Sequence, residues 1–79
     1  MKVTVLYYGM IAERIQKDSE QLIFEVDGDF FNLKSHMESI YPELKNMTYQ
    51  IAVDQELKET ISENDGVKEI ALLPPFAGG

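Results

Sequence analysis

The sequence predicts one small α+β domain, in which strands form a sheet and one main helix packs on a face of that sheet. Three observations lead to this prediction: β-branched and apolar runs near both ends, one helical stripe between them, and a length of 79 residues. A chain of this length has room for one hydrophobic core. We therefore expect residues 1–79 to form a single domain, with residues 74–79 as an extended C-terminal tail.

The first half of the chain predicts two strands joined by a short helical segment. Val3–Tyr8 is β-branched and aromatic, and it is apolar on both faces apart from Thr4, as in a central strand. One or two helical turns are expected over Ile11–Gln16. Leu22–Val26 alternates in polarity, which predicts a second strand antiparallel to the first, followed by a turn at Asp27–Gly28.

A main helix follows this turn. Asp29 is a plausible N-cap, and Pro42 predicts an end near Tyr41, because the residue before proline avoids the α region. The single histidine, His36, falls off the apolar stripe and is expected near solvent rather than in a ligand role, and Phe31 falls off it too. The stripe itself consists of Phe30, Leu33, Met37, Ile40 and Leu44.

The remaining sequence predicts the other strands of a mixed sheet of four to five strands. They are a strand at Tyr49–Val53, a turn at Asp54–Glu56, a short edge segment from Leu57, a turn at Glu63–Gly66 and a last strand at Val67–Leu73. If the first and last strands pair at the centre, analogy with known folds gives the β-grasp, or ubiquitin-like, arrangement.

Composition excludes several classes of function. The absence of cysteine removes disulfides, thiolate metal sites and thiol nucleophiles, and one histidine does not make a metal site. A net charge of −7 argues against binding nucleic acid or an anionic membrane. The acidity suits a partner with a basic face, although it could serve solubility alone. With no signal peptide or membrane-spanning run, we expect a cytoplasmic protein.

The last six residues are the most informative segment. Pro74 and Pro75 favour an extended path and remove two backbone donors, so the sheet should end there. Six residues reach roughly 19 Å at about 3.1 Å per residue. Gly78 and Gly79 could pass a narrow channel because they have no side chains. An external enzyme could activate the Gly79 carboxylate as an acyl-adenylate, which a sulfur donor would convert to a thiocarboxylate. The alternative is a frayed terminus.

The sequence resembles the small subunit of molybdopterin synthase, a ubiquitin-like sulfur carrier. The segment that carries most of the likeness is Ile70–Gly79, which ends Leu-Leu-Pro-Pro-Phe-Ala-Gly-Gly. Supporting segments are Val5–Gly9, Ala12–Arg14, Tyr41–Leu44 and Ala52–Glu56. The chain departs from the family pattern at Asp54, where asparagine is common, and in a turn before the last strand that is about one residue longer.

The resemblance implies a β-grasp fold and a role for the tail. It implies that a ubiquitin-activating-like adenylyltransferase uses ATP to adenylate Gly79, and that a sulfurtransferase system converts this residue to a thiocarboxylate. The loaded tail, Pro74, Pro75, Phe76, Ala77, Gly78 and Gly79, would then enter the large subunit and give sulfur to cyclic pyranopterin monophosphate. The complex would be a heterotetramer in which this chain is the non-catalytic small subunit, with no bound cofactor or metal.

The resemblance also implies a docking patch beside the tail, formed by Tyr8, Leu57 and Leu73, with Phe76 as an anchor. Core burial is the alternative for Leu57 and Leu73, and Tyr8 could be a core aromatic. Alternative functions are sulfur supply for thiazole synthesis or tRNA thiolation, a ubiquitin-like protein modifier, and an interaction module with an inert tail.

Overall fold

The computed structural model describes residues 1–75, and residues 76–79 lie outside the described part of the chain. Within residues 1–75 there are seven strands, two α-helices and one 3₁₀ helix at Pro42–Asn46. In chain order the strands and α-helices are β1 (Lys2–Tyr7), α1 (Gly9–Ile15), β2 (Ser19–Ile23), β3 (Phe31–Asn32), α2 (Leu33–Ile40), β4 (Gln50–Val53), β5 (Glu56–Leu57), β6 (Thr60–Ile61) and β7 (Glu69–Leu73).

The main sheet of the described residues has five strands in the order β2–β1–β7–β4–β5. β1 runs parallel to β7, and the other neighbouring pairs are antiparallel. The first and last strands therefore pair in the interior of a mixed sheet, as predicted. This topology confirms the α+β class and fits the β-grasp arrangement. β3 and β6 form a separate two-stranded ladder.

One face of the sheet carries the hydrophobic core. Leu33 and Met37 of α2 join Val5, Ile70 and Leu72 of the sheet in one buried cluster, and each of the five is 0% exposed. Burying one such side chain is worth about 1.5–3 kcal/mol. Because side chains alternate along a strand, the residues between these positions face the other side of the sheet.

β2 differs in its bounds from the predicted strand at Leu22–Val26. It begins at Ser19 and ends at Ile23, because its ladder with β1 runs from the Leu6–Ser19 pair to the Lys2–Ile23 pair. The predicted alternation is nevertheless correct, since Phe24 is buried and Ile23 is exposed. The antiparallel pairing of the first two strands is confirmed.

The start of the main helix was predicted wrongly. α2 begins at Leu33, and its N-cap is Asn32, whose side-chain oxygen accepts a 2.9 Å hydrogen bond from Ser35 N–H. Asp29 is not the cap, and Phe30 is 85% exposed rather than part of the stripe. The reason is tertiary: Phe31 and Asn32 are extended because they pair with β6. The predicted end is confirmed, since α2 stops at Ile40 and Pro42 opens the 3₁₀ helix.

His36 is partly buried rather than close to solvent. Its ring lies 4.9 Å from the centroid of Phe24 and 5.0 Å from that of Phe31. Phe31, which also lies off the predicted stripe, stacks on Phe24. These three rings form a small aromatic cluster beside the core, and the contacts of His36 within it are those of a packing residue.

The turn between β4 and β5 lies where the sequence predicts it. Asp54 and Gln55 have φ of +47° and +73°, as in the two-residue turns that match the twist of a hairpin. Leu57 is on the edge strand of the sheet, also as predicted. β7 begins at Glu69, two residues later than predicted, although Val67 is buried. Within residues 1–75, no helix combines the length and the apolar character needed to cross a membrane.

Candidate functional site

A shallow groove of about 500 Å³ crosses the face of the sheet opposite the core. Its floor comes from alternate residues of β4 and β7, because Ile51, Val53, Ile70 and Leu72 point into the core from the same strands. The residues that line the groove are Tyr8, Gln50, Ala52, Gln55, Leu57, Glu69, Ala71, Leu73 and Pro74. Small and apolar side chains form its floor, and amides and one carboxylate lie at its margin.

The groove brings together three residues that the sequence singles out as a docking patch. Tyr8 and Leu57 are 45% and 56% exposed, and Leu73 is partly exposed. Core burial therefore does not explain Leu57 or Leu73, and Tyr8 is not a core aromatic. Phe76, the fourth residue of the patch, lies outside the described residues. Exposed leucine and tyrosine side chains around a concave apolar floor are suited to a protein partner.

The base of the tail is fixed to the turn between β1 and α1. The backbone N–H of Tyr8 donates to the carbonyl of Leu72 with an N–O distance of 3.2 Å. The ring of Pro74 packs against Gly9, which has φ of +58°. Pro74 and Pro75 are exposed, and β7 ends at Leu73, as the two prolines predict. Pro74, the first residue of the predicted tail, thus lies at the rim of the groove.

A second and smaller groove, of about 310 Å³, borders the tail base. Pro74 lines both grooves, and Pro75 lines the second one only. Arg14 contributes a guanidinium to the second groove, whereas Met10 and Met47 supply apolar surface. The first tail residues are therefore flanked by an uncharged apolar floor on one side and a cation on the other.

A cluster of hydrogen-bonded side chains joins β1, β2 and the end of α2. The hydroxyls of Tyr7 and Tyr41 donate to Oε2 of Glu20 at 2.5 and 2.6 Å, and Lys17 pairs with Oε1 at 2.9 Å. Burial raises the pKa of Tyr7, and its hydrogen bond to Glu20 adds to this. Burial opposes ionisation of Glu20, but the three donors outweigh it and lower its pKa below 4.5. Tyr7 is thus a stable donor rather than a nucleophile.

Nothing in the sequence pattern indicates Glu20, and the pattern gives no contacts for the four basic residues Lys2, Arg14, Lys17 and Lys34, whose simplest interpretation is solvated surface charge. Two of them have specific contacts: Lys17 pairs with Glu20, and the Lys34 ammonium lies 5.2 Å from the ring centroid of Tyr49. Lys17 and Glu20 are three residues apart but do not lie on a helix, so no helical spacing rule indicated the first contact. The tyrosine hydroxyls come from distant parts of the chain, so no local pattern indicated them.

Comparison with known proteins identifies the family of the chain. No protein-family model matches it. Over an alignment of 83 residues, the chain is 30% identical to the molybdopterin synthase sulfur carrier subunit of Caenorhabditis briggsae. The alignment covers 100% of this chain and 99% of the relative. This chain belongs to the molybdopterin synthase sulfur carrier subunit family. The subunit of Caenorhabditis elegans is 28% identical with the same coverage.

Family membership confirms the resemblance on which the site predictions depend. Both relatives align along nearly their whole length, so the likeness extends beyond the short tail motif. Four residues of the predicted sulfur-carrying segment, Phe76, Ala77, Gly78 and Gly79, lie outside the described residues, and their roles stay predictions. The structure of this family member describes the first two residues of the predicted tail, Pro74 and Pro75.

Asp54 has a clear structural role. Its carboxylate accepts hydrogen bonds from the backbone N–H groups of Lys68 and Glu69 at 3.3 and 2.9 Å. Asparagine and aspartate both tolerate the positive φ of this position and both offer a side-chain acceptor. The longer turn before β7 closes on itself, since Asp65 accepts from the N–H and hydroxyl of Ser62.

Proposed function

We propose that this chain is the sulfur carrier of a molybdopterin synthase, with the Gly79 carboxylate as its working group. Full-length membership of the sulfur carrier family is the observation that carries the proposal. The tail sequence Pro74–Gly79 supports it, and so does an exposed groove that begins where the tail leaves the sheet.

The proposed chemistry has two stages. An adenylyltransferase first joins Gly79 to AMP from ATP with loss of pyrophosphate, and a sulfur donor then displaces AMP from the acyl carbon. The product is a terminal thiocarboxylate, so no cysteine is needed on the carrier. In the second stage the thiocarboxylate sulfur attacks a side-chain carbon of cyclic pyranopterin monophosphate in the large subunit, forming a carbon–sulfur bond while an oxygen substituent of that carbon leaves with a proton. Water then cleaves the acyl–sulfur bond and restores the Gly79 carboxylate, leaving sulfur on the pterin. Each loaded carrier delivers one sulfur, so two loaded carriers are needed for the two sulfurs of the dithiolene.

The charge of the chain supports this division of labour. The pterin substrate is a phosphate ester, and a protein of net charge −7 is a poor host for an anion. The phosphate-binding and acid–base groups are therefore assigned to the large subunit, and this chain is a non-catalytic small subunit and co-substrate. It needs no bound cofactor, because the activating enzyme consumes the ATP.

The groove is the proposed docking surface for the large subunit. Tyr8, Leu57 and Leu73 would be covered by apolar side chains of the partner, and Phe76 would anchor the tail beyond them. We propose one carrier at each end of a large-subunit dimer, which gives a heterotetramer in the cytoplasm. Residues 1–73 would act as the folded body and residues 74–79 as the part that enters the partner.

The proposal is tested by intact mass after incubation with ATP, a sulfur source and the cognate adenylyltransferase. We expect exchange of one oxygen for sulfur, localised to Gly79 by fragmentation. A matched reaction without ATP should leave the mass unchanged. The loaded protein is then mixed with the large subunit and pterin, and sulfur should appear on the pterin.

The outcomes separate the competing functions. Loading at Gly79 followed by transfer to a thiazole precursor or a tRNA, and not to the pterin, would place the chain in another thiolation pathway. An isopeptide bond from Gly79 to lysine side chains would identify a protein modifier. An unchanged mass with an active cognate enzyme would contradict the sulfur carrier proposal and favour an inert tail.

A further inference from the structure

We infer that Gly9 is a positioning residue that sets the direction in which the tail leaves the domain. The inference rests on the proposed function, since it concerns how the tail reaches a partner's active site. Gly9 touches no reacting atom, and it would act through Pro74, the first residue of the tail.

The contact between these two residues is close. A Cβ atom added to Gly9 would lie 3.3 Å from Cγ of Pro74 and 3.7 Å from its Cβ. The neighbouring residue Tyr8 donates its backbone N–H to the carbonyl of Leu72. The turn between β1 and α1 thus holds the end of β7 at two successive positions, first by a hydrogen bond and then by packing on the proline ring.

The contact also lies between the two grooves. Tyr8, on one side of Gly9, lines the groove of about 500 Å³, and Met10, on the other side, lines the groove of about 310 Å³. Pro74 borders both. A residue that shifts the ring of Pro74 would therefore turn the tail toward one groove or the other.

A methyl group at position 9 would move the ring by a few tenths of an ångström. Proline fixes its own φ, so little of this movement is absorbed by backbone rotation at Pro74. A small displacement at the base would grow along the tail if residues 74–79 are extended, as the sequence predicts. Docking through Leu57 should be retained, because Leu57 lies on the edge strand β5, two strands away from β7, and the three atoms nearest the added Cβ all belong to Pro74. The effect is therefore expected on the rate of sulfur transfer and not on affinity.

Backbone strain is a competing explanation, and the chain contains a matched control for it. Gly66 has φ of +62°, close to the +58° of Gly9, but a Cβ atom added there would meet nothing within 4 Å. Alanine at either position suffers the same conformational strain. Only alanine at position 9 also meets Pro74.

The test compares Gly9→Ala, Gly66→Ala, Pro74→Ala and the double variant Gly9→Ala/Pro74→Ala, each preloaded as thiocarboxylate. Single-turnover sulfur transfer and affinity for the large subunit are measured, with thermal melts as the folding control. Gly9→Ala should transfer about tenfold more slowly, with affinity within about threefold of wild type. Gly66→Ala should lose similar thermal stability and transfer at the wild-type rate.

Pro74→Ala removes the ring from the other side of the contact and should itself be slower than wild type. The double variant should be no slower than Pro74→Ala, since alanine at 74 has no Cγ for the new methyl group to meet. Equal slowing in Gly9→Ala and Gly66→Ala would assign the effect to strain and overturn the inference. A wild-type rate in Gly9→Ala or in Pro74→Ala would overturn it as well.

Failure of the proposed function would be recognised separately, because wild type would then take up no sulfur. The inference is tested in that event by NMR of the unmodified protein. A nuclear Overhauser effect between Gly9 Hα and the ring protons of Pro74 is expected, and the Leu73 amide should shift in Gly9→Ala but not in Gly66→Ala. Absence of either signal would show that the turn does not direct the tail.

Discussion

The side-chain carboxylate of Asp54 accepts a hydrogen bond from the backbone N–H of Glu69, with an N–O distance of 2.9 Å. This bond links the turn between β4 and β5 to the first residue of β7. Residues on both sides of the link, Gln55 and Glu69, line the groove of about 500 Å³. Asp54 therefore holds together the end of the proposed docking surface that is distant from the tail.

Asp54→Ala should lower the free energy of unfolding by about 1–2 kcal/mol, since it removes two solvent-exposed hydrogen bonds. The change removes the acceptor of two backbone N–H groups. Alanine also lacks the short polar side chain that lets aspartate tolerate the positive φ of this position. Asp54→Asn should cost less than about 1 kcal/mol, because the amide oxygen still accepts and asparagine tolerates this φ. Urea unfolding curves of both variants measure the difference. Equal stability of the two variants would contradict the proposed role.

Glu20→Gln should lower the free energy of unfolding by about 1.5–3 kcal/mol at neutral pH, since three donors converge on this carboxylate. The folded-state pKa of Glu20 is lowered from 4.5. Its stabilising contribution is therefore complete above pH 4.5 and is lost as pH falls through the lower folded-state value. The difference between wild type and Glu20→Gln should shrink over that acidic range.

Glu25→Gln is the control for Glu20→Gln, since Glu25 is exposed and lies near β2. Chemical unfolding of the three proteins at a series of pH values gives the required free energies. Glu25→Gln should stay within about 0.5 kcal/mol of wild type throughout. If the difference in free energy of unfolding between wild type and Glu20→Gln stays constant as the pH falls, the hydrogen bonds to the Glu20 carboxylate are not its cause.

Leu57→Arg should weaken binding to the large subunit by at least about tenfold while changing the free energy of unfolding by less than about 0.5 kcal/mol. Leu57 is 56% exposed at the groove, so arginine meets solvent in the free domain and an apolar partner surface in the complex. Ile23→Arg is the matched control, because Ile23 is 74% exposed on β2 at the opposite edge of the sheet. Calorimetric titration that finds both variants equally weak would rule out the groove as the docking surface.

Deletion of Gly79 should abolish sulfur loading and leave the free energy of unfolding unchanged within about 0.5 kcal/mol. The last strand of the described sheet ends at Leu73, six residues before the deleted position. Intact mass and urea unfolding of the same preparation measure both properties. A deletion variant that still takes up sulfur would place the acceptor group elsewhere in the chain.

Gly78→Val should load normally or slowly but transfer sulfur to the pterin far less well, because a branched side chain would obstruct a narrow channel in the partner. Single-turnover transfer from loaded protein separates this step from loading. A wild-type rate of transfer would remove the argument that glycine is needed there for passage.

Local sequence patterns predicted those features of the fold that depend on neighbours in the chain. The alternation around Phe24, the end of α2 before Pro42 and the turn at Asp54 all have local causes. The start of α2 does not, because Phe31 is held extended by Ile61, thirty residues further along. The helical spacing that placed Phe30 on the stripe contains no information about that pairing. The Asn32 side chain, which caps α2, was the only local signal of the true start.

The candidate site also combines features that could be predicted before the structure and features that only the folded chain has. Resemblance to a family singled out Tyr8, Leu57 and Leu73, which are far apart in sequence and line one groove of the structure, and their docking role stays a prediction. It gave no indication of the contact between Gly9 and Pro74, because the φ of a glycine and the position of a distant proline ring are properties of the folded chain. The Glu20 cluster was missed for a similar reason, since its donors come from β1 and from the residue that ends α2.

The pairing of β1 with β7 has a consequence for how the protein matures. Thr4 pairs with Glu69, so the two strands in the interior of the sheet come together only when residues from both ends of the described chain meet. Sheets with such distant pairings fold late and slowly compared with helical proteins of similar size. A nascent chain or a C-terminally degraded fragment that lacks β7 would have no groove floor, since Ala71 and Leu73 belong to that strand. The proposed docking surface would therefore exist only on chains that already extend to the base of the predicted tail.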